Sequence, residues 1–207
     1  GYVLHWITAH RRLAHNFALD HSVALARELE RPLVILEALR VGYPYASDRL
    51  HRFILEGMAD DVARAADTRA RLHAYVERAP GEGSGLLEAL ARDACVVVTD
   101  DYPAFFLPRM VRAAGERLDV RLVAVDTNGL LPMRLPTPMH ASAYSFRREL
   151  QKLLPPQLGH FPSADPLAHL PELPPPKLDP AIASRWPSLS RDALLDPSLA
   201  PSLPIDH

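Results

Sequence analysis

The residues best placed to do chemistry sit where apolar runs stop. Asp100-Asp101 follows Cys95-Val96-Val97-Val98-Thr99, the clearest strand signal in the chain. Carboxylates at the carboxyl end of a strand in an open α/β sheet commonly meet a ligand or a metal. The competing reading is that one of the two caps a following helix that Pro103 helps to start. Asp126-Thr127-Asn128-Gly129 is a turn signal of the same double meaning. The first strand-to-helix turn, Thr8-Ala9-His10-Arg11-Arg12, holds no glycine, which excludes a dinucleotide fingerprint. Gly81-Glu82-Gly83-Ser84-Gly85 resembles a phosphate loop only in its glycines. It lacks the Gly-Lys-Ser/Thr ending and reads as a flexible connector. Among the 10 histidines, His10, His15 and His21 are spaced by five and six residues, off the four-residue step that puts two imidazoles on one helical face. No zinc site is expected. Cys95 is the one cysteine, so an intrachain disulfide is impossible, and its apolar setting predicts a buried, reduced thiol. The doublets Arg11-Arg12 and Arg147-Arg148 suit either an anion or plain solvation.

These residues need a frame, and hydrophobic patterning supplies one. Residues 2–7, 33–36, 73–76, 95–99 and 120–125 are short apolar, β-prone runs. Between them lie amphipathic stretches at 16–29, 86–94 and 104–118, a long helix opened by Ser47-Asp48, and a last helix at 143–154. Apolar strands alternating with helices call for a parallel sheet covered on both faces. The expected fold is α/β, a Rossmann-like, doubly wound five-stranded parallel sheet with right-handed crossovers. A ligand then belongs at the carboxyl ends of the strands, where strand order reverses.

Proline divides the 207-residue chain: 13 of its 21 prolines fall between Pro155 and Pro204. Each removes a backbone donor and fixes φ, so this stretch cannot be regular throughout. Yet Leu167, Leu170, Leu173, Trp186, Leu194, Leu195 and Leu199 keep it apolar, as a wrapping linker would be. We expect an α/β domain over 1–155 and a Pro-rich interdomain linker over 156–207. The net charge of −2 gives no global signature of nucleic-acid binding. No run approaches the roughly 20 apolar residues of a membrane span. A cytoplasmic protein with no membrane partner is the expectation.

Several segments together resemble a known family. Trp6-Ile7-x-x-x-Arg11-Arg12-x-x-x-Asn16-x-Ala18-Leu19 is similar to the opening of class II DNA photolyases, where a tryptophan-led strand enters an Arg-x-x-x-Asn-x-Ala-Leu helix. Tyr43-Pro44-x-Ala46-Ser47-x-Arg49-x-x-x-Phe53-Ile54-Leu55-Glu56-Gly57-Met58 resembles that family's second helix. Val98-Thr99-Asp100 and Val125-Asp126-Thr127-Asn128-x-x-x-Pro132 match its later strand ends. Ala143-Tyr144-Ser145-Phe146-Arg147 resembles the segment that closes its α/β domain. The chain departs from the pattern at Arg11, where the family usually has Gln, and at Leu50-His51, where it has His-Tyr.

The resemblance to the DNA photolyase/cryptochrome family implies an N-terminal α/β domain, a linker and a C-terminal helical domain, the last lying outside these residues. That domain holds FAD and receives a flipped pyrimidine dimer from damaged DNA, which light-excited reduced flavin splits by electron transfer. The implied enzyme is a deoxyribodipyrimidine photo-lyase, a DNA-repair flavoprotein, with no catalytic residue in this chain. Neither Trp6 nor Trp186 is expected to relay electrons. The α/β domain's implied role is to dock on the FAD-binding domain and to hold an antenna chromophore, a deazaflavin or a folate. Thr8, Ala9, His10, Arg12, Asp100 and Asp101 are its expected neighbours, with Asp48 and Arg49 as second choices. A cryptochrome-like light sensor and a freestanding nucleotide-binding α/β module are the alternatives.

Overall fold

A computed structural model of the protein describes residues 1–136 and 140–206. Its sheet contains β1 (Tyr2–Ile7), β2 (Leu33–Leu39), β3 (Arg71–Val76), β4 (Ala94–Asp100) and β5 (Leu122–Val125). All neighbours pair in parallel, in the order β3-β2-β1-β4-β5. This is the α/β sheet expected from the patterning. Strand order reverses at β1, whose neighbours are β2 and β4.

The core splits by strand parity, because successive side chains leave a strand on opposite faces. Val3, Ile7, Leu33, Ile35, Val96 and Val98 pack with α1 (Phe17–Glu28), while Leu39, Ala74 and Val76 pack with α2 (Asp48–Ala66). Leu4, Trp6, Val34, Leu36 and Val97 face α3 (Leu86–Ala91) and α4 (Leu107–Arg117) on the other side. Ser47 caps α2 as its sequence position predicts, its side chain accepting from Leu50 N. Helix α5 (Ala143–Leu153) is capped by Ser142 but buries none of its residues.

Cys95 is exposed, against expectation. Tyr2 pairs with Ala94 and Val3 with Val96, so Cys95 is the extra residue of an irregularity in the β1–β4 ladder. Such a residue leaves the ladder and is turned out of the core; its Sγ lies 3.1 Å from Tyr2 O. The Gly81–Gly85 segment is likewise no loose connector. The buried Glu77 carboxylate sits inside it, Oε1 accepting from Gly81 N (2.8 Å) and Gly83 N (3.0 Å) while Oε2 accepts from Val41 N.

Residues beyond α5 return to the sheet three times. Leu167 and Leu170 join the α1 side. Ile182 of the short helix α6 (Pro180–Arg185) and Trp186 join the α3 side, where Trp186 Nε1 donates to Glu82 O (2.8 Å). Leu194 of α7 (Arg191–Leu194), Leu199, Ala200 and Leu203 pack against α2. Leu195 stays exposed. Among the described residues no helix is long and apolar enough to cross a membrane.

Candidate functional site at the strand-order reversal

The turn after β1 wraps around one carboxylate from β4. Asp100 Oδ2 accepts from the backbone N–H groups of Thr8 (3.0 Å), Ala9 (2.9 Å) and His10 (3.2 Å), and from the Thr8 hydroxyl (3.3 Å). Successive amides in a tight turn form a concavity that binds anions. Here the anion is a side chain of the protein. Thr99 secures the back of the knot, its hydroxyl donating to Trp6 O (2.8 Å) and lying 3.2 Å from Thr8 Oγ1. Asp100 is almost wholly buried, and its Oδ1 has no hydrogen-bond partner among the described residues. His10 Nε2 is in the same condition, its ring edge-on to Tyr102 at 5.9 Å.

The far end of the turn is held by Asn16, itself fully buried. Asn16 Oδ1 accepts from Ala18 N (2.9 Å) and Leu19 N (3.1 Å), capping α1, and Nδ2 donates to His10 O (3.2 Å) and Arg12 O (3.1 Å). One side chain thus satisfies four backbone groups that a helix start and a turn leave open. Thr127, after β5, adds an acceptor to Ala18 N (3.2 Å).

Neither strand-end aspartate caps α4. Its cap residue is Phe106, with no side-chain bond, and the intervening Phe105 adopts φ +59°. Asp100 is instead consumed by the first turn, because β4 pairs directly with β1 and ends beside it. Asp101 points elsewhere: Oδ2 takes Arg134 Nε (2.9 Å) and Nη2 (2.8 Å), and its carbonyl takes Asn128 Nδ2 (2.6 Å). Asp126 binds Asn128 N and Nδ2 and Met133 N. Burial pushes its pKa up, but these bonds outweigh it and hold the carboxyl below its ordinary value.

Thr8, Ala9, His10 and Asp100 are therefore in mutual contact, with Asp101 adjoining. Arg12 is exposed at the lip, its Nε donating to His15 O (3.1 Å). Asp48 and Arg49 are exposed on the first turn of α2, and no hydrogen bond among the described residues ties them to the Asp100 knot.

A second polar group escaped the sequence reading. Arg11 turns toward β2, Nη1 lying 3.2 Å from Glu37 Oε1 and Nη2 donating to Ala38 O (2.6 Å). Glu37 is fully buried; desolvation outweighs Arg11 and, with the nearby Asp61 charge, lifts its pKa to about 7. Desolvation also lifts Asp61 of α2 to about 6, against a hydrogen bond from Leu13 N and the charges of Arg64 and Arg11. His5 of β1 is buried with Nδ1 2.9 Å from Ser22 Oγ; desolvation lowers its pKa to about 4 despite the Asp100 charge. The described residues contain no group of three or more His, Cys, Asp or Glu arranged to hold a metal.

No protein-family profile matches the chain. The chain is 28% identical over 155 residues to the deoxyribodipyrimidine photo-lyase of Methanothermobacter thermautotrophicus, an alignment covering 74% of the chain and 34% of that protein. The chain thus spans about a third of the curated relative it matches. In three dimensions it is similar to an archaeal photolyase from Sulfolobus tokodaii, described with two FAD molecules (TM-score 0.61, 16% identity, 93% of this chain and 41% of that one). A class III photolyase from Agrobacterium tumefaciens is also similar (TM-score 0.55, 18% identity, 89% and 38%). These structures share the chain's α/β fold.

Proposed function

We propose, from the premise that this chain is related to deoxyribodipyrimidine photo-lyase, that it serves as the N-terminal α/β domain and strap of a photolyase-type DNA-repair flavoprotein. The relationship to photolyases runs through sequence and fold together. In this reading residues 1–155 form the antenna domain and 156–207 the linker to a FAD-binding helical domain. FAD, when bound there, supplies the light-driven electron that splits a cyclobutane dimer in damaged DNA. The work of these 207 residues is to dock that domain and to hold a deazaflavin or folate antenna at the strand-order reversal.

The observation that carries the antenna role is the buried Asp100 Oδ1 and His10 Nε2, polar atoms beside the first turn that have no partner among the described residues. Buried polar atoms without partners are costly, and a hydrogen-bonding ligand is one way to satisfy them. Thr8, Ala9, His10, Asp100 and Asp101 would line that ligand, with exposed Arg12 at the lip; Asp48 and Arg49 would lie further out.

Absorption spectroscopy of the purified chain mixed with a deazaflavin or a reduced folate tests this. A bound chromophore with a band in roughly the 350–450 nm region is expected. A chain that retains neither compound would sink the antenna role. The 207-residue chain alone is expected to split no dimers under light; measurable repair would place the active site within these residues and overturn the division of labour.

A further inference from the structure

We infer that Asp100 is a specificity determinant: an internal anion occupying the position where a ligand phosphate would sit, so that a ligand at this strand end is a phosphate-free ring system. This rests on the antenna reading of the same strand end and adds which ligands it admits.

In α/β nucleotide sites, the amides of the first strand-to-helix turn and the start of the following helix are the usual phosphate cradle. In this protein five of those amides are spent. Thr8 N, Ala9 N and His10 N all point at Asp100 Oδ2, within 3.2 Å, and the two next helical donors, Ala18 N and Leu19 N, go to Asn16 Oδ1. A phosphate arriving here would find those five amides taken and a buried carboxylate in their midst. Like charges in a site of low dielectric repel strongly.

The second candidate cradle is closed in the same way. The amides of Gly81 and Gly83 are taken by Glu77 Oε1, whose other oxygen holds Val41 N. Two turns with the geometry to bind an anion are thus each filled by a carboxylate of the chain. Among the described residues, Asp100 Oδ1, an acceptor, and His10 Nε2 are left buried without a partner beside this turn. An acceptor suits an N–H-bearing heterocycle edge and opposes an anion.

Riboflavin and FMN share one ring system and differ by a phosphate, so they isolate the effect. The wild-type chain is expected to bind riboflavin at least as tightly as FMN in a fluorescence titration. Asp100→Ser vacates the cradle and should shift preference toward FMN by about tenfold, the worth of one charge-assisted hydrogen bond. Inorganic phosphate should raise the Tm of Asp100→Ser and move the amide resonances of Thr8, Ala9 and His10, while leaving both unchanged in wild type. Asp100→Asn, which keeps the shape of the plug, should show a smaller change in the same direction. FMN preferred by wild type, or wild-type amides of Thr8–His10 shifted by phosphate, overturns the inference, and this arm holds even if neither variant folds. Folded Asp100→Ser with no gain for phosphate also overturns it. If wild type binds neither flavin, the antenna reading suffers, while the phosphate titration still decides whether Asp100 is a plug.

Discussion

Asn16 concentrates more backbone satisfaction than any other side chain near the first turn, joining the end of the turn to the start of α1. Asn16→Ala should cost about 2 kcal/mol or more in urea unfolding, a cap lost and buried carbonyls left open. A change below 0.5 kcal/mol would mean that the turn is held from elsewhere. The buried ionisable residues make opposed pH demands. Glu37 and Asp61 have folded pKa values raised to about 7 and about 6, so the native state holds protons that the unfolded chain releases. Their contribution is fully present below their unfolded values near 4 and is lost as pH rises through 6 to 7. His5, lowered to about 4, works the other way and penalises the fold as pH falls below its unfolded value of 6.5. Glu37→Gln should therefore flatten the decline in Tm between pH 5 and 8; an unchanged slope would remove Glu37 from this role. The strand-end rule made Thr8, Ala9, His10 and Asp100 legible in sequence, because it depends on topology alone. Glu37 and His5 were not legible: each interrupts an apolar strand, and their partners, Arg11 and Ser22, are set by the crossover and not by spacing.

At the level of elements, the five strands could be read because each carries a short apolar, β-prone run; β1, β2 and β4 are largely buried, while β5 is only half-buried. Their limits were less visible. β3 begins at Arg71, two residues before the apolar run, since ladder bonding to Val34 needs no apolar side chain. α4 starts at Leu107 and not near Ala104, because Phe105 takes the left-handed backbone (φ +59°), which a helix cannot include. The displaced Cys95 depends on a register shift that no single strand's sequence contains. The Gly81–Gly85 turn and the proline-rich segment also define each other. Gly85 has φ +89° and a Cβ added there would lie 3.5 Å from Trp186. That distance is ordinary contact, so Gly85→Ala should cost only the left-handed strain, about 1 kcal/mol. Trp186→Ala, which empties the space between α3 and α6, should cost about 3 kcal/mol. Hydrogen exchange should then speed up across α6 first; a global loss of protection instead would show that α6 is no separable unit.

For the molecule as a whole, the expected sheet and the apolar, proline-rich character of the last quarter were both readable, but not the path of that segment. Proline count says that a stretch is irregular; it says nothing of the three places where Leu170, Trp186 and Leu199 find pockets on different helices. The final anchor lies back at the rim, where Asp206 N donates to Ala46 O (3.0 Å) and its carboxylate accepts from Tyr45 N (2.7 Å). The exposed bridge around Gly159, between α5 and the first anchor, can be entered by a protease without dislodging a buried apolar side chain. A nick there would sever the backbone and leave the three anchors seated. The two pieces should travel as one species through size exclusion and separate only in denaturant, a non-covalent split protein made by one cut.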